Sequence, residues 1–271
     1  MTQLSSLTLR MKLSDFDDTP AQNAFEQVIT ILANELKVNK TLTKLDLAKN
    51  KIRYRGGEAL AEALKVNNTL AQLDLSWNQI SDRGGEALAE ALKVNHSLIQ
   101  VDLRWNRISD RGGEALAEAL KVNNKLTQLD LEGNDMRDRG DEALKVNHTL
   151  IQLELEGNRI SDRSSETRAD ALKLNNTVIQ LDLRLNRISD RGSEALREAL
   201  EEDGRVVLYS DSEFYELSHD ERLKCRIKCI DQGFQYGIVL NNGTKYCSKN
   251  VPVYNEKQHK CICKTDCPPG V

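Results

Sequence analysis

NNTLAQLDLSWNQISDRGGEALAEALKV, residues 67–94, is followed without a gap by NHSLIQVDLRWNRISDRGGEALAEALKV, residues 95–122, and only six of the 28 positions differ. A fixed period of this length marks a solenoid, in which each copy buries its apolar face only against its neighbours. Each copy carries the spacing L-x-x-L-x-L-x-x-N-x-I, supplied in the first by Leu70, Leu73, Leu75, Asn78 and Ile80. Side chains alternate along the L-x-L segment, as a short parallel strand requires. The S-D-R-G-G-E that follows opens a helix, with Ser81 or Asp82 as its cap. Ala87, Leu88, Ala91 and Leu92 then form a narrow apolar stripe, with Glu86, Glu90 and Lys93 outside it.

Outward from this pair, the framework asparagine recurs as Asn50, Asn78, Asn106, Asn134, Asn158 and Asn186, at intervals of 28, 28, 28, 24 and 28. Its side chain can bond backbone groups where the chain leaves the strand. In the 24-residue coil Asp141 to Leu144 runs straight into Lys145, so one helical turn is missing on the helix side and a notch is expected there. The next coil carries Ser164, Ser165, Glu166, Thr167 and Arg168 in place of G-G-E-A-L, which puts Arg168 where other coils have leucine. These two coils are expected to be the weak point. Before the first full coil, Leu4, Leu7 and Leu9 keep the leucine spacing, with Lys12 in the asparagine position. Thr19 and Pro20 open a helix as N-cap and first residue, with Ala21, Phe25, Val28, Ile29, Leu32 and Leu36 on one face. After Asp203 and Gly204 the chain offers a degenerate closing strand.

This pattern resembles the leucine-rich repeat, and the 28-residue length with its G-x-x-A-L-A-x-A-L helix resembles the ribonuclease-inhibitor-like subfamily. The resemblance implies an α/β solenoid with parallel strands concave and helices convex. It also implies a protein-binding function without catalysis or cofactor, and names no partner, because the family shares none. The inhibitors of that subfamily carry cysteine through their repeats, whereas these repeats contain none. The expected organisation is a solenoid over 1–209, with a cap at 1–38, repeats at 39–202 and a closing strand at 205–209. A linker at 210–220 and a cysteine-rich module at 221–271 follow.

The net charge of −4 gives no bulk drive toward nucleic acid, and no apolar run approaches the roughly 18 residues of a spanning helix. All six cysteines, Cys225, Cys229, Cys247, Cys261, Cys263 and Cys267, fall in the last 47 residues. Six cysteines so close together suggest three disulfides of undetermined connectivity. The tail from Lys224 to Lys264 carries a net +6. It resembles small secreted cysteine-rich modules such as tick salivary evasins or defensin-like peptides. A reduced zinc module with His259 as an extra ligand is the rival reading, although C-x3-C and C-x-C differ from the usual knuckle. The start lacks a secretory h-region, which points to the cytoplasm, while a disulfide-bonded tail points to secretion. A secreted effector acting through the tail, or an enzyme-inhibiting regulator, are the alternatives to a scaffold.

No catalytic motif is visible: G-x-S-x-G, G-x-x-x-x-G-K-[ST] and H-E-x-x-H are absent. The R-G-G-E glycines read as packing positions, and Asp15, Asp17 and Asp18 fall short of a calcium loop. Of the sequons at Asn39, Asn67, Asn95, Asn147, Asn175 and Asn242, the first five share one repeat position, so duplication explains their number. Two features remain as candidate contact surfaces. Asp46, Asp74, Asp102, Asp130, Glu154 and Asp182 form a column along the strands. That column reads either as a track for a basic partner or as a solvated face partly neutralised by Lys44, Arg104 and Arg184. Trp77 and Trp105, the only tryptophans, fall side by side on adjacent coils at a position the core does not need. With Arg104, Arg107, Lys49, Asp74 and Asp102 around them they have the composition of a binding hot spot. The alternative is one tryptophan duplicated with its coil, each ring lying flat against arginine.

Overall fold

The computed structural model describes residues 4–9, 19–137, 143–175, 177–178, 180–189, 191–193, 195–196, 207–209, 251–255 and 260–264. Eight three-residue strands form one parallel sheet in chain order. They are β1 (Ser6–Thr8), β2 (Lys44–Asp46), β3 (Gln72–Asp74), β4 (Gln100–Asp102), β5 (Gln128–Asp130), β6 (Gln152–Glu154), β7 (Gln180–Asp182) and β8 (Val207–Tyr209). Each central residue is buried, as at Leu45, Leu73, Val101, Leu129, Leu153 and Leu181, while its two neighbours face the other side. Helices α1 (Thr19–Val38), α2 (Tyr54–Leu64), α3 (Ser81–Val94), α4 (Asp110–Leu120), α5 (Ala143–Val146) and α6 (Asp162–Leu174) form the second layer. Between the layers runs one continuous core, in which Leu75 and Leu103 are wholly buried with Ile80 and Ile108. Full burial of such a side chain stabilises by about 1.5–3 kcal/mol.

Two asparagine ladders tie coil to coil. The first is the expected one: Asn78 donates from Nδ2 to the carbonyls of Leu47 and Leu75 at 3.0 and 2.8 Å, and its Oδ1 accepts from Asn50 and Ile52 N–H at 3.1 and 2.9 Å. The second lies at the helix-to-strand turn, where the sequence alone shows a row of sequons. There Asn95 donates to the carbonyls of Leu64 and Asn67 at 2.8 and 3.0 Å and accepts from Ser97 and Leu98 N–H. Asn67, Asn147 and Asn175 are buried at the same position, so their amide nitrogens are not presented for glycan attachment; Asn123, which heads no sequon, is buried there too.

Helix entry departs from the local reading. Neither α3 nor α4 has a side-chain cap of its own. Instead Asp82 of the preceding coil accepts from the backbone N–H of Ser109 and Gly112 at 2.7 and 3.0 Å, and from Ser109 Oγ at 2.6 Å. Glu26 does this for Arg53, Asp110 for Arg137 and Asp162 for Ser189. A carboxylate of one coil thus reaches unpaired backbone amides of the next, from the first turn of α3, α4 and α6 and from further along α1. Packing leaves room for little else: a Cβ on Gly112 would sit 2.6 Å from Ile108 Cγ2.

Helix α1 starts at Thr19 itself, one residue before the start implied by reading Thr19 as the cap. Its buried face is Phe25, Ile29, Ala33 and Leu36, with Leu32 half-buried; Val28, assigned inward, is exposed. The same shift appears in α3, where Ala89 rather than Ala87 is fully buried.

The 24-residue coil keeps its strand in register, Gln128 opposite Gln152 and Asp130 opposite Glu154, and its helix is described over Ala143–Val146, with 138–142 outside the described residues. The strand and both asparagine ladders are kept, so the four missing residues fall between Asn134 and Asn147. In α6 Arg168 is buried at 4% exposure, in the slot filled elsewhere by Leu60, Leu88, Leu116 and Leu196. Strand β8 pairs with β7, Leu208 opposite Leu181, closing the sheet.

In the tail, β9 (Val251–Asn255) and β10 (Lys260–Lys264) form an antiparallel pair that sets Cys261 opposite Tyr254 and Cys263 opposite Pro252. Cys225, Cys229, Cys247, Cys267, His259, Asn242, the linker and the Asp15 to Asp18 turn lie outside the described residues. No described helix is long and apolar enough to cross a membrane.

Candidate functional site

The acidic column starts the turn that follows each strand. Oδ1 of Asp46, Asp74, Asp102, Asp130 and Asp182 accepts the N–H two residues on, at 2.9–3.1 Å, in the manner of an Asx turn. Asp74 also accepts from Ser76 Oγ at 2.7 Å. The column is thus built into the backbone, and much of its charge is matched. Arg104 meets Asp102 at 2.6 Å, Asp130 at 3.1 Å and Glu132 at 3.8 Å. Arg184 pairs with Asp182 and, at 2.8 Å, with Glu156. In β6 the longer Glu154 accepts instead from the side-chain amides of Gln152 and Gln180, at 2.7 and 2.5 Å.

Burial and crowding still set the column's electrostatics. Burial pushes the Asp102 carboxyl above its usual range against the pull of Arg104. Burial pushes Asp130 well above it, and the neighbouring charge of Asp102 adds to the effect. For Arg104 burial acts downward, but its hydrogen bond to Asp102 and the charges of Asp130, Asp102 and Glu132 carry it above its ordinary value. Arg104 therefore acts as a clamp within the acidic column, and its guanidinium is largely committed to this chain.

Past the strand ends, the residue before each framework asparagine is held in the left-handed region. Lys49 (φ 61°), Trp77 (57°), Trp105 (54°), Gly133 (64°), Gly157 (68°) and Leu185 (55°) occupy this place in successive coils. Backbone bonds continue the ladder through it, Trp77 N–H to Arg104 O at 2.8 Å and Trp105 N–H to Glu132 O at 2.9 Å. The tryptophans therefore sit on the rim of the strand layer, whose own outward residues are Gln72, Asp74, Gln100 and Asp102.

Their rings stack on one another with centroids 4.8 Å apart and planes 15° from parallel. They are 44% and 39% exposed. Lys49 Nζ stands 5.6 Å from the Trp77 centroid, a cation–π contact. A side chain on Gly133 would collide with the Trp105 ring, so that ring lies across Gly133. Gly133 was not among the expected site residues; the only trace in sequence is that the coil after two tryptophans changes to glycine. Arg107, exposed and also left-handed (φ 60°), stands one residue past Asn106.

The structure thus brings Lys49, Trp77 and Trp105 into one array and keeps Asp74, Asp102 and Arg104 in the adjoining turn network, while Arg107 is exposed two residues past Trp105. His96 and His148 are exposed at the opposite turn, and no cluster among the described residues could hold a metal ion.

A family model described as leucine rich repeat matches residues 38–61, 66–89, 94–117, 122–145, 146–164 and 174–196, just over half of the chain. Among solved structures, actin-binding site 2 of leiomodin-1 is similar at 18% identity over 74% of this chain and 95% of that chain, with a TM-score of 0.43. The tropomodulin C-terminal domain of Caenorhabditis elegans is similar at 15% identity over 74% and 98%, again with a TM-score of 0.43. No curated protein matches.

Proposed function

Because the chain belongs to the leucine-rich repeat family, we propose that it is a non-catalytic scaffold that binds a protein partner on the strand side of its repeats, at the rim centred on Trp77 and Trp105. One observation carries the reading: two bulky residues hold a left-handed backbone without being needed by the core. For an L residue that backbone costs about 1–2 kcal/mol. The same place takes lysine, glycine or leucine in other coils, so the solenoid does not require tryptophan there. An exposed, rigid aromatic pair is the kind of anchor that dominates interface energetics.

Replacing both residues by glycine tests this without disturbing the fold. Glycine relieves the backbone while the stack, worth about 0.5–1.5 kcal/mol, is lost, so stability should stay close to that of the parent. Partners captured by the full chain should be lost with Trp77→Gly plus Trp105→Gly while thermal unfolding is unchanged. Capture that survives the double substitution points instead to the basic cysteine-rich tail, the alternative in which an extracellular partner is bound there. Enzyme inhibition in the manner of the ribonuclease inhibitors is a narrower use of the same rim and responds to the same substitutions.

A further inference from the structure

We propose that the partner of this rim is an acidic, extended peptide segment that reads the edges of the Trp77–Trp105 stack, an inference that rests on the scaffold reading above. The ring faces are already used by the chain. Trp77 has Trp105 on one side and Lys49 toward the other, and Trp105 has Gly133 beneath it. What the pair offers outward is its edges. An aromatic edge is the positive end of the ring quadrupole, and an indole N–H can only donate. Trp77 makes no hydrogen bond through its indole N–H among the described residues.

Two cations belong to the same rim: Lys49 stands over the outer face of Trp77, and Arg107 lies two residues past Trp105 in the chain. Arg107 makes no ion pair among the described residues, and Lys49 is engaged only with the Trp77 ring. This contrasts with Arg104 and Arg184, which are clamped by carboxylates of their own and a neighbouring coil. Positive edges, an indole donor and two such cations together complement carboxylates. A nucleic acid is also anionic, but it reads tryptophan by stacking bases on an open face, and these faces are closed. The rim advances by one strand spacing per coil, about 4.8 Å, so the span from Lys49 to Arg107 is matched by about four residues of extended chain.

The two tryptophans of the full-length chain report directly on the site through their fluorescence. A synthetic hexapeptide alternating glutamate and phenylalanine should produce a saturable change in their emission. Lys49→Glu plus Arg107→Glu leaves both rings in place and should weaken that response about tenfold at low ionic strength, a difference that shrinks in high salt. No emission change with the peptide, or an equal response from the charge-reversed variant, overturns the inference. A response to oligouridine but not to the peptide overturns it as well, yet leaves the rim as a binding surface. The scaffold reading stands or falls separately, on partner capture by the glycine variant.

Discussion

Arg168 occupies a slot built for leucine. Its counterparts Leu60, Leu88, Leu116 and Leu196 are at most 2% exposed, and the guanidinium is nearly as deep at 4%. Burying a charged group costs several kcal/mol before its partners offset any of it, and a hydrophobic side chain of similar volume escapes that cost. Arg168→Leu should therefore stabilise the chain by about 1–3 kcal/mol, seen as a higher urea midpoint; an unchanged or lower midpoint would show that the arginine's contacts outweigh its burial. Position 168 was legible from the repeat alone, because five aligned copies expose one misfit. Gly133 was not, since nothing in the string shows that the ring of Trp105 lies 28 residues forward, across the next coil's backbone.

At the scale of the element, the helix caps carry the sharpest consequence. Asp82 begins α3 but serves the start of α4, so Asp82→Ala should loosen α4 rather than its own helix. A lost cap costs about 0.5–2 kcal/mol. Hydrogen exchange should speed at the amides of Ser109 and Gly112, while those of α3 keep their protection; faster exchange at Arg83 and Gly84 instead would mean that the cap is local after all. Layering and strand register were readable from spacing, because leucine and asparagine positions repeat whatever the surface does. Cap ownership was not, because the bonded partners are 27 residues apart and local pattern pairs each acid with its own helix. Each inward helix face has one position misplaced for the same reason: Val28 and Ala33 both suit an amphipathic pattern, and only the neighbouring coil decides between them.

For the whole molecule, acidity acts in two directions. Asp162, lowered by its hydrogen bonds to Ser189, is depressed in the folded state, so its contribution is present above the ordinary carboxylate range and fades as pH falls through its folded value. Asp130 is raised in the folded state, which then holds the extra proton; its effect is favourable at low pH and is lost as pH rises through its folded value. Asp130→Asn should accordingly raise the unfolding temperature at pH 7, since an amide oxygen can still accept the Glu132 N–H, and the gain should shrink toward pH 4. Equal gains at both pH values would remove the charge of Asp130 as their cause.

The caps and asparagines together give the solenoid a direction in time. Glu26, Asp82 and Asp162 each wait for the helix start of the following coil, Asp110 for the Arg137 N–H of the coil after its own, and Asn78 and Asn95 donate to carbonyls of the coil before. A coil leaving the ribosome thus meets a finished template that already holds its helix cap and the carbonyls its asparagines need. Growth can proceed from the first helix onward one coil at a time, with no earlier coil forced to reopen. Shortening the chain from its C-terminal side at a coil boundary removes no helix's cap, whereas removing α1 takes Glu26 from α2 at once.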